Sequence, residues 1–202
     1  MPTHAILVHG LGRMALSMRP LAKQLKLAGI QPHSFSYVAA FEDIDHCTQR
    51  LQRFIEQESG GEPYILIGHS LGTVLLRLVA SQLDHQPNAC FFLAPPTVAC
   101  RAAKYFAKNP LFRIAAGEMG QLLSNDKFMS TLPVPHAPTT MYVGTAGPRG
   151  RWLPFKNEKN DGILAVSETI YPTARVEYVP ALHTFIMRSK PVIKGILATL
   201  KS

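Results

Sequence analysis

Short buried runs alternate with helical stripes along nearly the whole chain, and this alternation restricts the fold more than any other feature of the sequence. His4–Val8, Ser34–Val38, Tyr64–Ile67, Ala89–Leu93, Thr140–Val143 and Arg175–Val179 read as strands. Between them, apolar positions recur at helical spacing: Met18, Leu21, Leu25 and Ala28 before Gly29, then Ile44, Cys47, Leu51, Phe54 and Ile55 before Gly60-Gly61. Leu71 to Leu83 is apolar nearly all round, as a helix lying on a sheet must be, and Val192, Ile193, Ile196, Leu197 and Leu200 mark a closing helix. Parallel strands need crossover connections, and crossover helices cover both faces of the sheet they serve. The expectation is one α/β domain over residues 1–202, a mostly parallel six-stranded sheet with helices on both faces.

The rhythm breaks once, at about 97–135, where no strand is legible. Phe106, Phe112, Leu122, Leu123, Phe128 and Met129 make this stretch too apolar for a linker, so it is expected to form a small helical cap on the sheet. With 202 residues, 47% of them apolar and 17% charged, the chain can bury a sizeable core, which excludes a disordered or fibrous class. No apolar run reaches the ~18–20 residues that span a bilayer. Thr3 to Val8 already reads as a strand, without a basic flank or cleavage site. Cys47, Cys90 and Cys100 are scattered and form no C-x-x-C pair, so reduced thiols and a cytoplasmic location are expected.

Gly68-His69-Ser70-Leu71-Gly72 fits G-x-S-x-G, with a buried strand before it and an apolar helix directly after it. A serine on so sharp a turn projects its hydroxyl above the sheet at a helix N-terminus, where developing negative charge is favoured. The same five residues would also serve as a helix start capped by Ser70; the strand and helix on either side favour the nucleophile. A serine needs a base oriented by a third group, and active groups of a parallel sheet lie beyond the carboxyl ends of its strands. Among the histidines after Ser70, His85 lies at the far end of the helix and His136 precedes the fifth strand. His183 follows the sixth strand by four residues and is the base by elimination. For the orienting carboxylate, Asp161 in Asn160-Asp161-Gly162 sits at a turn whose backbone N–H groups can hold it. Glu158, in the charged run Lys156 to Lys159, is the alternative and reads most simply as solvated; Glu168 falls on a short helix beyond. The oxyanion of an acyl-transfer intermediate would be met by the backbone N–H of Leu71 and by that of Leu11, in the loop after the first strand. His9 and His69 read as residues that hold their loops.

His9-Gly10-Leu11-Gly12, Gly68-His69-Ser70-Leu71-Gly72, Asn160-Asp161-Gly162 and His183, in that order, resemble the α/β-hydrolase superfamily, and more narrowly its small bacterial lipase- and esterase-like members. The resemblance spans nearly the whole chain. It implies an α/β-hydrolase fold lacking the usual first two strands. It also implies an acyl-enzyme mechanism on carboxylic esters with Ser70 as nucleophile, His183 as base, Asp161 as acid and Leu11 and Leu71 as oxyanion donors. Acyl transfer, thioester cleavage or a non-catalytic binding role on the same fold are the alternatives. The chain departs from many relatives at Arg13, where they have a second glycine. The aspartate that holds calcium in larger secreted lipases is replaced here by Thr184-Phe185, so no metal or cofactor is expected.

Gly10-Leu11-Gly12-Arg13-Met14-Ala15 also fits the G-x-G-x-x-A of dinucleotide-binding folds, but the second strand does not end in the acidic residue that such a site uses on the ribose. Phe106, Phe112 and Trp152 are expected in the substrate pocket, as parts of the cap and of the long loop from Thr145 to Asn160. The expected partner is a small-molecule ester or lipid. The net charge of +8 comes without any nucleic-acid-binding motif and is spread mostly over helix faces. Arg101, Lys104, Lys108 and Arg113 on the cap are the exception, a basic cluster able to make weak contact with an anionic membrane.

Overall fold

All six strands form, and each neighbouring pair runs parallel: β1 (His4–Val8), β2 (Gln31–Phe35), β3 (Tyr64–His69), β4 (Ala89–Leu93), β5 (Thr139–Gly144) and β6 (Arg175–Val179), in the order β2-β1-β3-β4-β5-β6. The computed structural model describes residues 2–107 and 109–200, without the side chains of residues 110–113 and 115. The sheet is thus parallel throughout rather than mostly parallel. Its second strand lies three residues earlier than expected, at Gln31–Phe35 instead of Ser34–Val38. This strand is an edge, pairing with β1 alone, so it tolerates Pro32 and needs little apolar surface. The apolar signal of Tyr37 has another cause: its ring stacks on His9 at 4.3 Å and its hydroxyl donates to the His9 carbonyl.

The helices follow the stripes: α1 (Arg19–Leu27), α2 (Ile44–Ser59), α3 (Leu71–Ala80) and, at the end, a helix at Lys190–Thr199. The Asp43 side chain caps α2 by accepting from the His46 N–H at 2.7 Å, and Gly60 ends it in the left-handed conformation. Alternation along the strands divides the core in two. Ile6, Val8, Leu66 and Phe92 face α2 and α3, while Ala5, Leu7, Ile65, Ile67 and Phe91 face α1 and the closing helix. Because both faces are covered, central strands read as continuous apolar runs. Each fully buried Leu, Ile or Phe contributes ~1.5–3 kcal/mol of transfer free energy, opposed by the entropy of ordering it.

Between β4 and β5 the chain forms three short helices, α4 (Arg101–Phe106), α5 (Pro110–Leu122) and α6 (Asp126–Thr131), so that the closing helix is α7. Several contacts tie this insertion to the core, two of them at Gly117 and Arg77. Gly117 breaks α5 with φ 62°, and any Cβ there would drive into the Ala39 carbonyl. At the other end, buried Arg77 of α3 donates to the carbonyls of Leu132 and Pro133, both at 2.8 Å.

Candidate active site

Ser70 sits between β3 and α3 with φ 50° and ψ −121°, a region that a side-chain-bearing residue occupies only under constraint. The constraint is visible in the neighbours. A Cβ on Gly72 would collide with the carbonyl oxygens of Val8 and His9, and one on Gly68 would lie 2.9 Å from the Thr73 nitrogen. Only glycine lets α3 start this close to β1 and β3. The Ser70 carbonyl accepts from both the N–H and the hydroxyl of Thr73, at 2.9 and 2.7 Å, and its N–H donates to Leu93 at 3.0 Å, which fixes the turn. The loop after β1 closes on the same point, since a Cβ on Gly10 would lie 3.0 Å from that of Ser70. The G-x-G-x-x-A loop is therefore packed against the serine turn. Among the described residues no backbone carbonyl accepts the N–H of Leu11 or that of Leu71.

His183 and Asp161 are joined by a hydrogen bond from the ring Nδ1 to Oδ2, 2.7 Å long and buried. The other carboxylate oxygen accepts from the N–H groups of Ile163 and Leu164 at 2.9 and 2.7 Å, so the side chain is aimed by its own turn. Asn160, fully buried, braces that turn by donating to the carbonyls of Pro148 and Glu158 and accepting from Gly162. The His183 N–H in turn donates to the Asp161 carbonyl at 2.9 Å, which locks the two loops to each other. With Nδ1 donating to the carboxylate, Nε2 of the neutral ring carries the lone pair.

Ser70 and His183 line one cavity of about 280 Å³, together with Leu11, Arg13, His69, Cys100, Phe106, Leu164 and Thr184 among others. A larger, shallower groove of about 780 Å³ lies between α1 and α7, lined by Lys23, Lys190 and Lys194, away from the serine. Of the expected pocket residues, Phe106 lines the serine's cavity, whereas the Phe112 side chain lies outside the described residues. Trp152 is a correction: it stands 88% exposed and does not line the cavity. Its loop is anchored instead by Phe155, buried against Ala102 and Ala165 beneath the Arg101 guanidinium, while the indole lies against Gly150. Cys100 reaches the cavity, but burial, then the charges of Glu168 and Asp161, pushes its thiol up to about 12, too high for a thiolate nucleophile at neutral pH. Among the described residues no group of three His, Cys, Asp or Glu could hold a metal ion, and no helix is long and apolar enough to cross a membrane.

One further expectation needs correction. Glu158 is not free in solvent: it accepts from Arg101 at 2.7 Å and from the Ser167 N–H at 2.9 Å. Burial favours its neutral form, but the hydrogen bonds from Ser167 and Arg101 outweigh that and hold its carboxyl at about 2. Glu168, 3% exposed, accepts from the N–H groups of Arg101 and Ala165, which caps the start of α4. In the basic cluster, Arg101 pairs with Glu158 and Glu168, and Lys104 pairs at the surface with Asp126 at 2.7 Å. Lys108 and the Arg113 side chain lie outside the described residues. Sequence reasoning missed this brace because a salt bridge between residues 57 apart leaves no local pattern. It also missed Asn160, whose one signal was its place next to the chosen aspartate.

His9 and His69 hold loops. The His69 Nε2 donates to the His183 carbonyl at 3.0 Å, its Nδ1 meets no partner, and Nδ1 of His9 donates to the Gly10 carbonyl. Burial, reinforced by the nearby His183, holds the His69 pKa well below its ordinary 6.5; burial lowers that of His9 as well, against the opposing effect of Gly10. Below about pH 6.5 the unfolded chain therefore binds protons that the folded chain refuses. Their stabilising effect is complete above about 6.5 and declines as pH falls from there toward the lowered folded values. Melting temperatures between pH 7.5 and 5 should fall, by roughly 2–4 °C for each kcal/mol lost, and His69→Gln, which keeps a donor and cannot titrate, should flatten the decline. A melting temperature independent of pH over that range would contradict this.

No protein-family model matches the sequence, and no curated protein sequence matches it either. Solved structures match over almost the full chain. A lipase of Bacillus licheniformis in its mature form shares 17% identity and a TM-score of 0.72, covering 97% of this chain and 92% of its own. A protein of Xanthomonas campestris described as a hydrolase of the alpha/beta superfamily shares 18% identity and a TM-score of 0.66, covering 98% of each chain. RedJ, a thioesterase of the prodiginine pathway in Streptomyces coelicolor, shares 15% identity and a TM-score of 0.61, covering 98% of this chain and 89% of its own. The chain has the α/β-hydrolase fold.

Proposed function

We propose that the chain is a serine hydrolase that cleaves carboxylic esters through a Ser70-His183-Asp161 triad. One observation carries this reading. A serine held at positive φ on the strand–helix turn shares its cavity with a histidine whose far nitrogen is bound to a buried carboxylate. His183 Nε2 takes the proton of Ser70 as the oxygen attacks the ester carbonyl. The unpaired N–H groups of Leu11 and Leu71 hold the oxyanion. Collapse of the tetrahedral species breaks the ester C–O bond, and His183 protonates the departing alcohol. Water, deprotonated by the same nitrogen, then adds to the acyl-enzyme, and release of the acid returns Ser70 its proton. Asp161 keeps Nδ1 protonated and stabilises the imidazolium without taking the proton.

The three helices between β4 and β5 act as a cap over the site: Cys100, Ala102, Ala103, Phe106 and Leu123 supply its apolar wall. That wall suits an acyl chain. Thioesters are the second reading, supported by thioesterases among the structural neighbours. Three buried free thiols fit a reducing compartment such as the cytoplasm.

A fluorophosphonate should label Ser70 covalently, and nitrophenyl esters of increasing chain length should be hydrolysed with an optimum set by the ~280 Å³ cavity. Labelling absent from Ser70, with no turnover at any chain length, would end the reading. Turnover of acyl thioesters well above that of matched oxygen esters would move it to the second.

A further inference from the structure

Arg13 is the one Arg, Lys, Asp or Glu among the described residues lining the cavity of Ser70. It is half-buried in the loop after β1, next to Gly12. One guanidinium nitrogen donates to the Thr184 carbonyl at 2.5 Å, and a guanidinium carries five N–H donors in a planar fork. Arg50, Arg101, Lys104 and Arg175 each meet a carboxylate, but among the described residues no carboxylate lies within ion-pairing distance of Arg13. Apart from Ser70, His69, His183 and Thr184, the cavity that it lines is walled by apolar residues and Cys100, among them Leu11, Pro96, Ala103, Ile163 and Leu164. A cation left without a counter-charge beside such a wall is held where water competes weakly and an entering anion is attracted strongly.

Resting on the reading of Ser70 as nucleophile, we propose that Arg13 selects substrates that carry a carboxylate besides the bond to be cleaved. A carboxylate matches the fork of the guanidinium and adds little bulk to a small cavity. The bond to Thr184 gives Arg13 a second task, tying the oxyanion loop to the residue after His183, and it orients the fork for the first.

The two roles separate in ratios. One pair of substrates is the p-nitrophenyl ester of monomethyl glutarate and its free-acid counterpart, with the charge on the acyl side. The other is the butyrate of methyl 4-hydroxybenzoate and its free-acid counterpart, with the charge on the leaving group. Arg13→Gln keeps a donor for Thr184 and loses the charge. For one pair, the ratio of acid to methyl ester in kcat/KM should be at least ~10-fold higher in the wild type than in Arg13→Gln, and should fall toward the variant's value as salt is raised. The pair that responds says which side of the ester carries the anion. Intrinsic reactivity and any general loss cancel in this comparison, so equal ratios in both pairs would reduce Arg13 to a loop tie and overturn the proposal while leaving the hydrolase reading in place. If none of the four esters turns over and Ser70 takes no fluorophosphonate, both fall together.

Discussion

Ser70→Ala is expected to lower kcat for ester hydrolysis by ~10⁴–10⁶-fold while the far-ultraviolet spectrum and cooperative unfolding are retained. The loss is that large because histidine, carboxylate and oxyanion donors act on a bond that the serine oxygen alone forms. The fold should be indifferent, since the hydrogen bonds of the turn use the backbone of Ser70 and the hydroxyl of Thr73. Ser70→Gly should be equally inactive yet more stable than the wild type by about 1 kcal/mol, because φ 50° with ψ −121° costs a side-chain-bearing residue of order 1–3 kcal/mol and glycine is freer there. Denaturant titration of the three proteins would show both effects. Retention of wild-type activity in Ser70→Ala would remove the serine from the mechanism.

The second large effect belongs to Asp161→Asn. The variant's amide oxygen can still accept from Ile163 and Leu164, as Oδ1 does now, so the turn should survive. Its NH₂ group then meets His183 where the carboxylate stood 2.7 Å away. An amide donor cannot accept the Nδ1 proton, so the ring turns to the other tautomer and Nε2 loses its lone pair. A drop of about 10⁴-fold in kcat is expected, with an unchanged extent of slow fluorophosphonate labelling after long incubation. Steady-state kinetics near neutral pH reads the first and intact-mass spectrometry the second. A loss of tenfold or less would mean that His183 is oriented by its N–H bond to the Asp161 carbonyl rather than by the carboxylate.

The strand–helix alternation was legible because every central strand is buried on both faces and carries an unbroken apolar run. β2 was misplaced because an edge strand has little apolar surface to display, and Tyr37, which does, is buried by His9 in a loop. Ser70, Asp161 and His183 could be picked out because chemistry at a parallel sheet is confined to the strand ends, which reduced His183 to an elimination and Asp161 to a choice among three carboxylates. The turn that aims Asp161 at His183 was legible because short side chains held by backbone N–H groups are local. The roles of Glu158, Glu168 and Arg101 were not legible, because their partners lie dozens of residues away and such distances carry no periodicity. Trp152 was misread for a related reason. Size and aromaticity say that a residue can line a pocket; which of two nearby aromatics anchors a loop depends on what the loop lies against.

The site is built from two kinds of material. The turn at Ser70 has no slack: Gly10, Gly68 and Gly72 leave no room for a single added carbon between β1, β3 and α3. The wall that meets them is largely three short helices, tied in at Gly117, at Arg77 and, through Arg101, to Glu158 and Glu168. Much of the wall thus comes from a part of the chain other than the reacting groups, and the Arg101 brace joins the two. On the proposed reading, a graft of the insertion could change which acyl chain is accepted, provided that it kept the Arg101 brace and the ties at Gly117 and Arg77.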